Sequence, residues 1–312
     1  MSEAELTVNR NHYETIVLGG GPAGLSAALN LVRSRRKTIV LDGNRPRHSA
    51  TMLSHGFLTR DGTPPSELRR MGREEYLNYP GAEYQLCQVT TVTRDADGRW
   101  QVAAKGINGH PDQELSADVL LLATGLREQL PELPSIRNYY GMSLFSCIEC
   151  DGFELSDRSL ALIGETSDLA WRAISLKQWT DRLSVFTNGT RPLTERQEEI
   201  LAERGIALYT EKIDDLVGDR TLEGVRLIDG RVIPVSGGFV RPRWVEQLDY
   251  LEGIQPEVDA WGLLKTDRDG RTSIPGLYAA GDLTSPGPQQ LIVAAGAGAR
   301  TAATIHRDLI DY

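Results

Sequence analysis

The segment YETIVL at residues 13–18 is followed by GGGPAG at 19–24, LSAALNLVR at 25–33 and KTIVLD at 37–42. The first and last of these are short apolar runs typical of buried strands, whereas 25–33 carries apolar residues at helical spacing. The sequence therefore predicts a strand, a glycine-rich turn, a helix and a second strand. Units of this kind hold dinucleotides in α/β proteins.

Each glycine of this G-x-G-x-x-G pattern has a separate physical task. Gly19 permits a tight turn, Gly21 lets the backbone approach a pyrophosphate, and Gly24 lets the helix pack close to the strand. An acidic residue about 20 positions further on is expected to hold a ribose. The alternative is a purely structural turn. The predicted contact residues here are Gly19, Gly21, Pro22, Ala23, Gly24, Asp42 and Gly43.

The composition excludes several classes of protein. The 312 residues are 40% hydrophobic and 25% charged, with a net charge of −9, so a basic surface for nucleic acid is not expected. No apolar run has the length of a membrane helix, and the N-terminal segment is polar. Three cysteines do not make a disulfide framework. We expect a cytoplasmic protein of about two domains.

Two distant segments extend the predicted unit. VLLLATGL at 119–126 and GLYAAGD at 276–282 are predicted strands, and a helix of small residues follows. In this helix, Gly296 and Gly298 are expected to allow close approach to a sheet or a ligand, and simple close packing of helices is the alternative. Together with GGGPAG, these segments resemble the FAD-binding signature of flavoproteins with two dinucleotide-binding domains. The resemblance implies FAD as cofactor, with Asp282 on its ribitol and Gln290 near the flavin ring. The further predicted contacts are Thr124, Gly125, Gly281, Asp282, Gln289, Gln290 and Leu291.

Two cysteines, Cys147 and Cys150, lie in FSCIECDGFE with two residues between them. A zinc site would need a second ligand pair, but only Cys87 remains and no histidine pair has ligand spacing. A buried structural pair is another alternative. The spacing brings the two sulfurs within bonding reach and favours a reactive thiol, so a redox disulfide is the preferred interpretation and no metal is predicted.

The pattern C-x-x-C-D-G-F at 147–153 is that of low-molecular-weight thioredoxin reductases, which the whole chain resembles in length, motif order and spacing. The resemblance implies that Cys150 lies against the flavin, that Cys147 exchanges with substrate, and that Asp151 transfers a proton. It also implies a homodimer. A turn residue is the alternative for Asp151. The charge of Glu149 is expected to disfavour a thiolate at Cys147 and to repel anionic partners.

The segment order predicts an α/β fold with two dinucleotide-binding, Rossmann-like domains, the second inserted into the first. Residues 1–126 and 245–312 form the predicted FAD-binding domain, and 127–244 form an inserted domain that carries the cysteine pair. In the family that the chain resembles, this inserted domain binds NADPH.

The loop where NADPH would bind is GETSDLA at 164–170, which keeps only the first glycine. Thr166 obstructs close approach of a pyrophosphate, while Glu165 and Asp168 bring negative charge to an anion site. Only Arg191 remains of the basic cluster expected near the 2′-phosphate. We therefore do not expect NADPH; the domain is a scaffold, or its cleft holds another ligand such as a second flavin. The cleft could be lined by Trp171, Trp179 and Trp244, although core packing is the favoured role of each.

The stretch from Gly43 to Pro80 resembles a branch of the family: dithiol oxidases of disulfide natural products and pyridine-nucleotide-independent disulfide oxidoreductases. Within it, Arg47 could reach FAD or lie on a solvated face. His48 and His55 are candidates for contacts with the flavin or the substrate, or are loop histidines with local partners.

These features predict an FAD-dependent thiol–disulfide oxidoreductase that exchanges electrons with a dithiol or disulfide, either a small molecule or a thioredoxin-like protein. Ferredoxin, a second flavin or oxygen would replace NADPH as electron partner. Two alternatives remain: an NADPH-dependent thioredoxin reductase with a degenerate motif, and a non-catalytic, redox-sensing flavoprotein.

Overall fold

The computed structural model describes residues 11–284 and 287–310. Its first unit is a parallel sheet in the order β3-β2-β1-β5-β16, in which β3 and β5 run on into an antiparallel meander with β4. The strands are β1 (His12–Leu18), β2 (Thr38–Asp42), β3 (Ala82–Arg94), β4 (Trp100–Gly106), β5 (Gln113–Leu122) and β16 (Leu277–Ala279). The helices are α1 (Pro22–Arg33), the 3₁₀ turn Arg47–Ala50, α2 (Pro65–Leu77) and α7 (Leu291–Asp308).

The second unit is built on an all-parallel sheet in the order β10-β9-β8-β14-β7. These strands are β7 (Leu144–Phe145), β8 (Leu160–Ile163), β9 (Leu183–Phe186), β10 (Ala207–Tyr209) and β14 (Gly238–Val240). An antiparallel sheet follows from β11 (Ile213–Val217), β12 (Gly224–Leu227) and β13 (Val232–Pro234). The helices are α3 (Ile136–Tyr139), α4 (Ile148–Asp151), α5 (Leu169–Leu176) and α6 (Glu195–Glu203).

The chain passes between the units twice, and the two passages pair with each other. Strand β6 (Arg127–Gln129) leaves the first unit, β15 (Arg243–Val245) returns to it, and the two are antiparallel. The buried residues of the hydrophobic clusters follow this division: two clusters draw on residues 13–126 and 250–305, and two on residues 133–240. The sequence-derived boundaries fall on this two-stranded link.

The central strands are buried on both faces because helices cover one side and the meander covers the other. Val17 and Leu121 pack among the helix-side residues, whereas Leu18 and Leu122 pack with the meander, and none of the four has exposed surface. This explains why these strands are continuous apolar runs. The predicted strand–turn–helix–strand unit is observed.

The helices α1 and α7 pack so closely that a side chain on one face would not fit. A Cβ at Gly298 would lie 2.0 Å from the backbone oxygen of Ala23. Gly296 does not share this task, because it is exposed and has nothing within 4 Å of its Cβ direction. Gly298 thus serves close packing of two helices, which is the alternative that the sequence left open, and Gly296 makes no close approach to another element.

Across residues 11–284 and 287–310, no helix combines the length and apolar character required to cross a membrane.

We expect Gly298→Ala to lower the free energy of unfolding by about 2 kcal/mol, because the added methyl group collides with backbone. Gly296→Ala is the matched control and should raise it by about 0.5 kcal/mol, since alanine restricts the unfolded chain at an open helical site. Urea unfolding followed by circular dichroism measures both. Equal stability of the two variants would contradict the close packing of α1 against α7.

Candidate active site

The glycine loop between β1 and α1 adopts the geometry that its sequence predicts. Gly19 has a φ of +107°, and a Cβ there would lie 2.3 Å from the oxygen of Ala123. Gly24 would place a Cβ 1.9 Å from the oxygen of Gly19, so only glycine lets α1 begin here. Gly21 faces open space and is the N-cap of α1, without a side-chain cap. The N-terminus of α1 is therefore open to an anion.

A cavity of about 400 Å³ lies over this loop, and we call it the loop cavity. Most of the predicted cofactor contacts meet there although they come from five separate segments. Gly24 lies behind the loop, Gln289 and His55 line neighbouring cavities, and Gly43 is not among the lining residues. The predicted residues that line it are Gly19, Gly21, Pro22, Ala23, Asp42, Arg47, His48, Thr124, Gly125, Gly281, Asp282, Gln290 and Leu291.

Asp42 is fixed at the end of β2 by partners on both carboxylate oxygens. Its Oδ1 accepts the N–H of Asn44 at 3.1 Å, and its Oδ2 accepts Arg69 Nη2 at 2.6 Å and the hydroxyl of Tyr84. The residue is buried, and these donors offset the cost of burying its charge. Each carboxylate oxygen has more than one lone pair, so the group is held in place with capacity for a ribose hydroxyl.

The donor set of the loop cavity fits the FAD that the sequence predicts. The open N-terminus of α1 suits a pyrophosphate, and the carboxylates of Asp42 and Asp282 suit hydroxyl groups on either side of it. A Cβ at Gly20 would lie 2.7 Å from Asp42 Oδ2, so the missing side chain there leaves room for this carboxylate at the loop.

Arg47 is one of the residues whose position the sequence left open, and it does not lie on a solvated face. Its guanidinium donates to Asp282 at 2.9 Å and to Glu128 at 3.3 Å, and it lies over the ring of Trp244 at 5.0 Å. Burial alone would lower the pKa of Arg47, but the two carboxylates outweigh it and raise the pKa. Arg47 thus connects the loop cavity to the two-stranded link.

The cysteine pair forms a disulfide at the start of α4. Cys147 is the N-cap of this helix, and its Cα lies 5.2 Å from that of Cys150. The disulfide lines a narrow cavity of about 70 Å³, which we call the disulfide cavity. Residues of both units enclose it. Those that it shares with the loop cavity are Arg47, His48, Glu128, Gln290 and Leu291.

Asp151 follows the disulfide and is only 7% exposed. Burial raises its pKa to about 7, Glu154 adds to the rise, and the nearby His55 opposes it. The carboxyl group therefore exchanges its proton near neutral pH, which suits a general acid or base.

The two histidines of the 43–80 stretch occupy different places. His55 lines the disulfide cavity, with Nε2 3.5 Å from Glu154 and Nδ1 3.7 Å from Asp61. His48 lines both cavities; burial, with help from Arg69 and Arg47, lowers its pKa to about 4. Among the described residues, the buried Nε2 of His48 has no hydrogen-bond partner.

Sequence reasoning missed a buried network beside the disulfide. Glu128 accepts hydrogen bonds from Tyr140 at 2.5 Å, Ser146 at 3.1 Å and Arg47. Burial and the Glu128 charge raise the pKa of Tyr140, which stays protonated as a donor. No local pattern marks Glu128; the only signal is its position directly after the ATG-containing strand.

The second dinucleotide-type loop, between β8 and α5, is closed by its own side chains. Asp168 accepts Thr166 at 2.6 Å, Arg172 at 3.1 Å and Arg241 at 2.9 Å, and Glu165 accepts Asn188 at 2.9 Å. Burial raises the pKa of Asp168, but these donors outweigh it and lower the pKa. A Cβ at Gly164 would lie 2.8 Å from Leu169 and 2.9 Å from Arg241.

The charges at this loop differ from the expected excess of carboxylate. The neighbouring cavity of about 300 Å³ is also lined by Lys212, Arg241 and Arg243. The carboxylates are therefore paired, and simple repulsion of an anion is not the obstacle. Thr166 stands where close approach of a pyrophosphate needs a glycine, and the donors of this loop are already engaged with its own carboxylates.

The three tryptophans near this region have separate surroundings. Trp179 and Trp244 pack against the hydrophobic clusters, as favoured from the sequence. Trp171 is 61% exposed on α5, so its predicted core role is wrong.

In the part of the chain that the structure describes, no cluster of three or more acidic, histidine or cysteine side chains is arranged to hold a metal ion.

Comparison with known proteins agrees with this architecture. The sequence profile of the pyridine nucleotide-disulphide oxidoreductases matches residues 13–298. The structure of TrxB from Bacillus anthracis, provisionally described as a thioredoxin reductase, is 36% identical, with a TM-score of 0.88 over 96% of this chain and 99% of its own.

Two curated relatives show the same similarity. The thioredoxin reductase of Peptoclostridium acidaminophilum is 26% identical over 319 residues, which cover 94% of this chain and 95% of its own length. A protein of Arthroderma benhamiae, also provisionally described as a thioredoxin reductase, is 28% identical over 185 residues, or 59% of this chain and 46% of its own length. The α/β fold with two Rossmann-like, FAD/NAD(P)-binding domains is thereby confirmed.

Asp151 should make stability depend on pH. Its pKa is about 7 in the folded protein and ~3.9 in the unfolded chain. The unfolded chain therefore loses this proton first, and the stabilisation present below pH ~4 is lost progressively as pH rises to 7, by about 4 kcal/mol. Asp151→Asn should remove this part of the pH dependence.

The measurement is urea unfolding of both proteins between pH 5 and 8. Asp157→Asn, at an exposed position of the same segment, is the control and should follow the wild type. An unchanged pH profile in Asp151→Asn would show that Asp151 is not the buried titrating group.

Proposed function

Because the chain belongs to the pyridine nucleotide-disulphide oxidoreductase family, we propose that it is an FAD-dependent thiol–disulfide oxidoreductase that works without NADPH. The family is an enzyme class that includes thioredoxin reductases. The proposed reaction is oxidation of a dithiol substrate by the Cys147–Cys150 disulfide. The observation that carries it is the shared wall between the loop cavity and the disulfide cavity.

The groups proposed to hold FAD are those that meet at the loop cavity. The N-terminus of α1 would bind the pyrophosphate, while Asp42 and Asp282 would accept hydroxyl groups of the cofactor. Arg47, paired with Asp282 and Glu128, brings a fixed positive charge to the wall that faces the disulfide.

The thiol chemistry is supported by the surroundings of the cysteine pair. A substrate thiolate attacks Cys147 Sγ, the Sγ–Sγ bond breaks, and Cys150 leaves as a thiolate. The second substrate thiol then attacks the sulfur bound to Cys147, which closes the substrate disulfide and releases Cys147. The pair has then gained two electrons and two protons, and the substrate has lost them.

Asp151 is suited to move the proton in this sequence. Its carboxyl group is half protonated near pH 7, so it can give a proton to a leaving thiolate and take one from an attacking thiol. Glu149 lies with Oε2 4.0 Å from Cys147 Sγ, which favours neutral or cationic substrates over anionic ones.

The chemistry that FAD supplies when bound is acceptance of the two electrons from the cysteine pair and their transfer to dioxygen, which leaves as hydrogen peroxide. Dioxygen is the proposed acceptor, because the side chains of the second loop already bond to one another where the pyrophosphate of NADPH would bind. Reduction of an external disulfide with electrons from ferredoxin or a second flavin is the opposite direction of the same chemistry.

Three further features remain proposals. We propose that residues 1–126 and 245–312 form the FAD domain and that 127–244 form the inserted one, which is supported by the separate hydrophobic clusters. A homodimer is proposed on the family resemblance. A cytoplasmic location is proposed because the chain has one catalytic cysteine pair and one buried free thiol, a cysteine usage that suits a reducing compartment.

The proposed function predicts which reductant bleaches the flavin. In anaerobic holoprotein, dithiothreitol should bleach the flavin absorbance and NADPH should not. Cys147→Ser and Cys150→Ser should each slow bleaching by dithiothreitol about a hundredfold or more, because the disulfide that accepts the electrons is gone.

The control is Cys87→Ala, which removes a buried thiol that lines neither the disulfide cavity nor the loop cavity and should bleach like the wild type. With oxygen present, one O₂ should be consumed for each dithiothreitol oxidised. Rapid bleaching by NADPH would overturn the NADPH-independent part of the proposal. Unchanged turnover in Cys147→Ser would overturn the role of the disulfide.

A further inference from the structure

A third cavity, which we call the lateral pocket, lies beside the two already described. It has a volume of about 280 Å³ and is enclosed by α1, α2, the loop at 57–60 and the start of α7. Its walls are mainly apolar and include Leu25, Leu29, Phe57, Leu68, Met71 and Ala295.

The lateral pocket adjoins the candidate active site. His48 and Leu291 line this pocket, the loop cavity and the disulfide cavity alike. Pro65 is shared between the lateral pocket and the disulfide cavity. A molecule whose sulfurs enter the disulfide cavity would therefore have its remaining atoms beside the mouth of the lateral pocket.

The charges of the lateral pocket favour an uncharged occupant. Its charged groups are Arg60, Arg69 and Glu75. Arg69 is engaged with Asp42 at 2.6 Å, and the exposed Arg60 and Glu75 carry opposite charges. No net charge is left to pair with an ionic ligand, whereas the apolar walls gain from covering an apolar one.

His48 gives the junction one polar contact. Its buried Nε2 lacks a partner among the described residues, and its lowered pKa keeps the ring neutral at pH 7. A buried polar atom without a hydrogen bond costs about 1–3 kcal/mol, which a ligand that bonds to it recovers. A neutral ring nitrogen can bond to a thiol or an amide, depending on its tautomer.

We propose that the lateral pocket binds the apolar, uncharged body of a small dithiol substrate, whose sulfur end passes His48 to reach Cys147. This inference rests on the proposed function and deepens it by naming the substrate class. The pocket volume is at the lower end of the range for small-molecule sites, which favours a compact molecule over a folded protein partner.

Gly72 offers a way to fill the pocket without touching the cysteines or the FAD contacts. It lines the pocket from α2, and an added Cβ there would lie 3.4 Å from Leu25 Cδ1, an ordinary contact. Gly72→Ala should therefore be accommodated, whereas Gly72→Leu should fill part of the pocket. Ser26→Leu fills it from the opposite wall and serves as a second, independent variant.

The experiment compares dihydrolipoamide, which has an apolar uncharged chain, with dithiothreitol, which has none. In the holoprotein, Gly72→Leu and Ser26→Leu should each raise the KM for dihydrolipoamide about tenfold, because about two methylene groups of the ligand lose their burial. The KM for dithiothreitol should stay within about twofold. Gly72→Ala should match the wild type with both dithiols.

A binding measurement separates this inference from the proposed function. Calorimetry of oxidised lipoamide should show binding to the wild type and Gly72→Ala, and about tenfold weaker binding to the two filled variants. If lipoamide binds in this pattern but no dithiol is turned over, the pocket stands and the proposed function fails. If dithiothreitol is turned over while the filled variants bind lipoamide normally, the pocket assignment fails alone.

Two other results would also overturn the assignment. Loss of FAD from Gly72→Leu but not from Gly72→Ala would mean that the cofactor occupies the pocket. Loss of a dimer in the filled variants would mean that a second copy of the chain covers it.

Discussion

The guanidinium group of Arg47 holds together the segments on which the candidate site depends. It bonds to Asp282 after β16, to Glu128 in β6, and to the backbone oxygen of Gln289 before α7, while its face covers Trp244 in β15. Trp244 and Glu128 are direct partners in the two-stranded link. A single buried cation therefore fixes the link between the two units against the wall of the loop cavity.

The parts of the site that local patterns predicted are those whose physics is local. The roles of Gly19, Gly21 and Gly24 follow from a turn and a helix start within six residues. The disulfide follows from two cysteines that have only two residues between them. The contacts that escaped prediction act across the fold: Arg69 reaches Asp42 over 27 positions, Arg241 reaches Asp168 over 73, and Arg47 reaches Glu128 over 81. No periodicity in a single sequence encodes such pairs, because they depend on how separate elements pack.

The second loop shows how this limit affects a functional argument. Counting carboxylates in the sequence predicted a loop that repels anions, because Glu165 and Asp168 are close together in it. In the fold, Arg172 and Arg241 bond to Asp168, and Arg243 lies 3.5 Å from Glu165, so the charge is balanced. The proposal that the protein works without NADPH therefore rests on a different physical reason. The loop is occupied by its own ion pairs, and binding of a pyrophosphate would have to break them before it gained any bond in return.

Burial acts in opposite directions on the two titrating groups near the disulfide. It raises the pKa of Asp151 to about 7 and lowers that of His48 to about 4, since in each case the charged form loses its hydration. His48 is therefore neutral at pH 7, and Asp151 is only half ionised. Thiol exchange creates a transient negative charge on sulfur. Glu149 and Glu128 already lie near the cysteine pair, so a protonated Asp151 adds no further negative charge there, and it can supply the proton that removes the charge on sulfur.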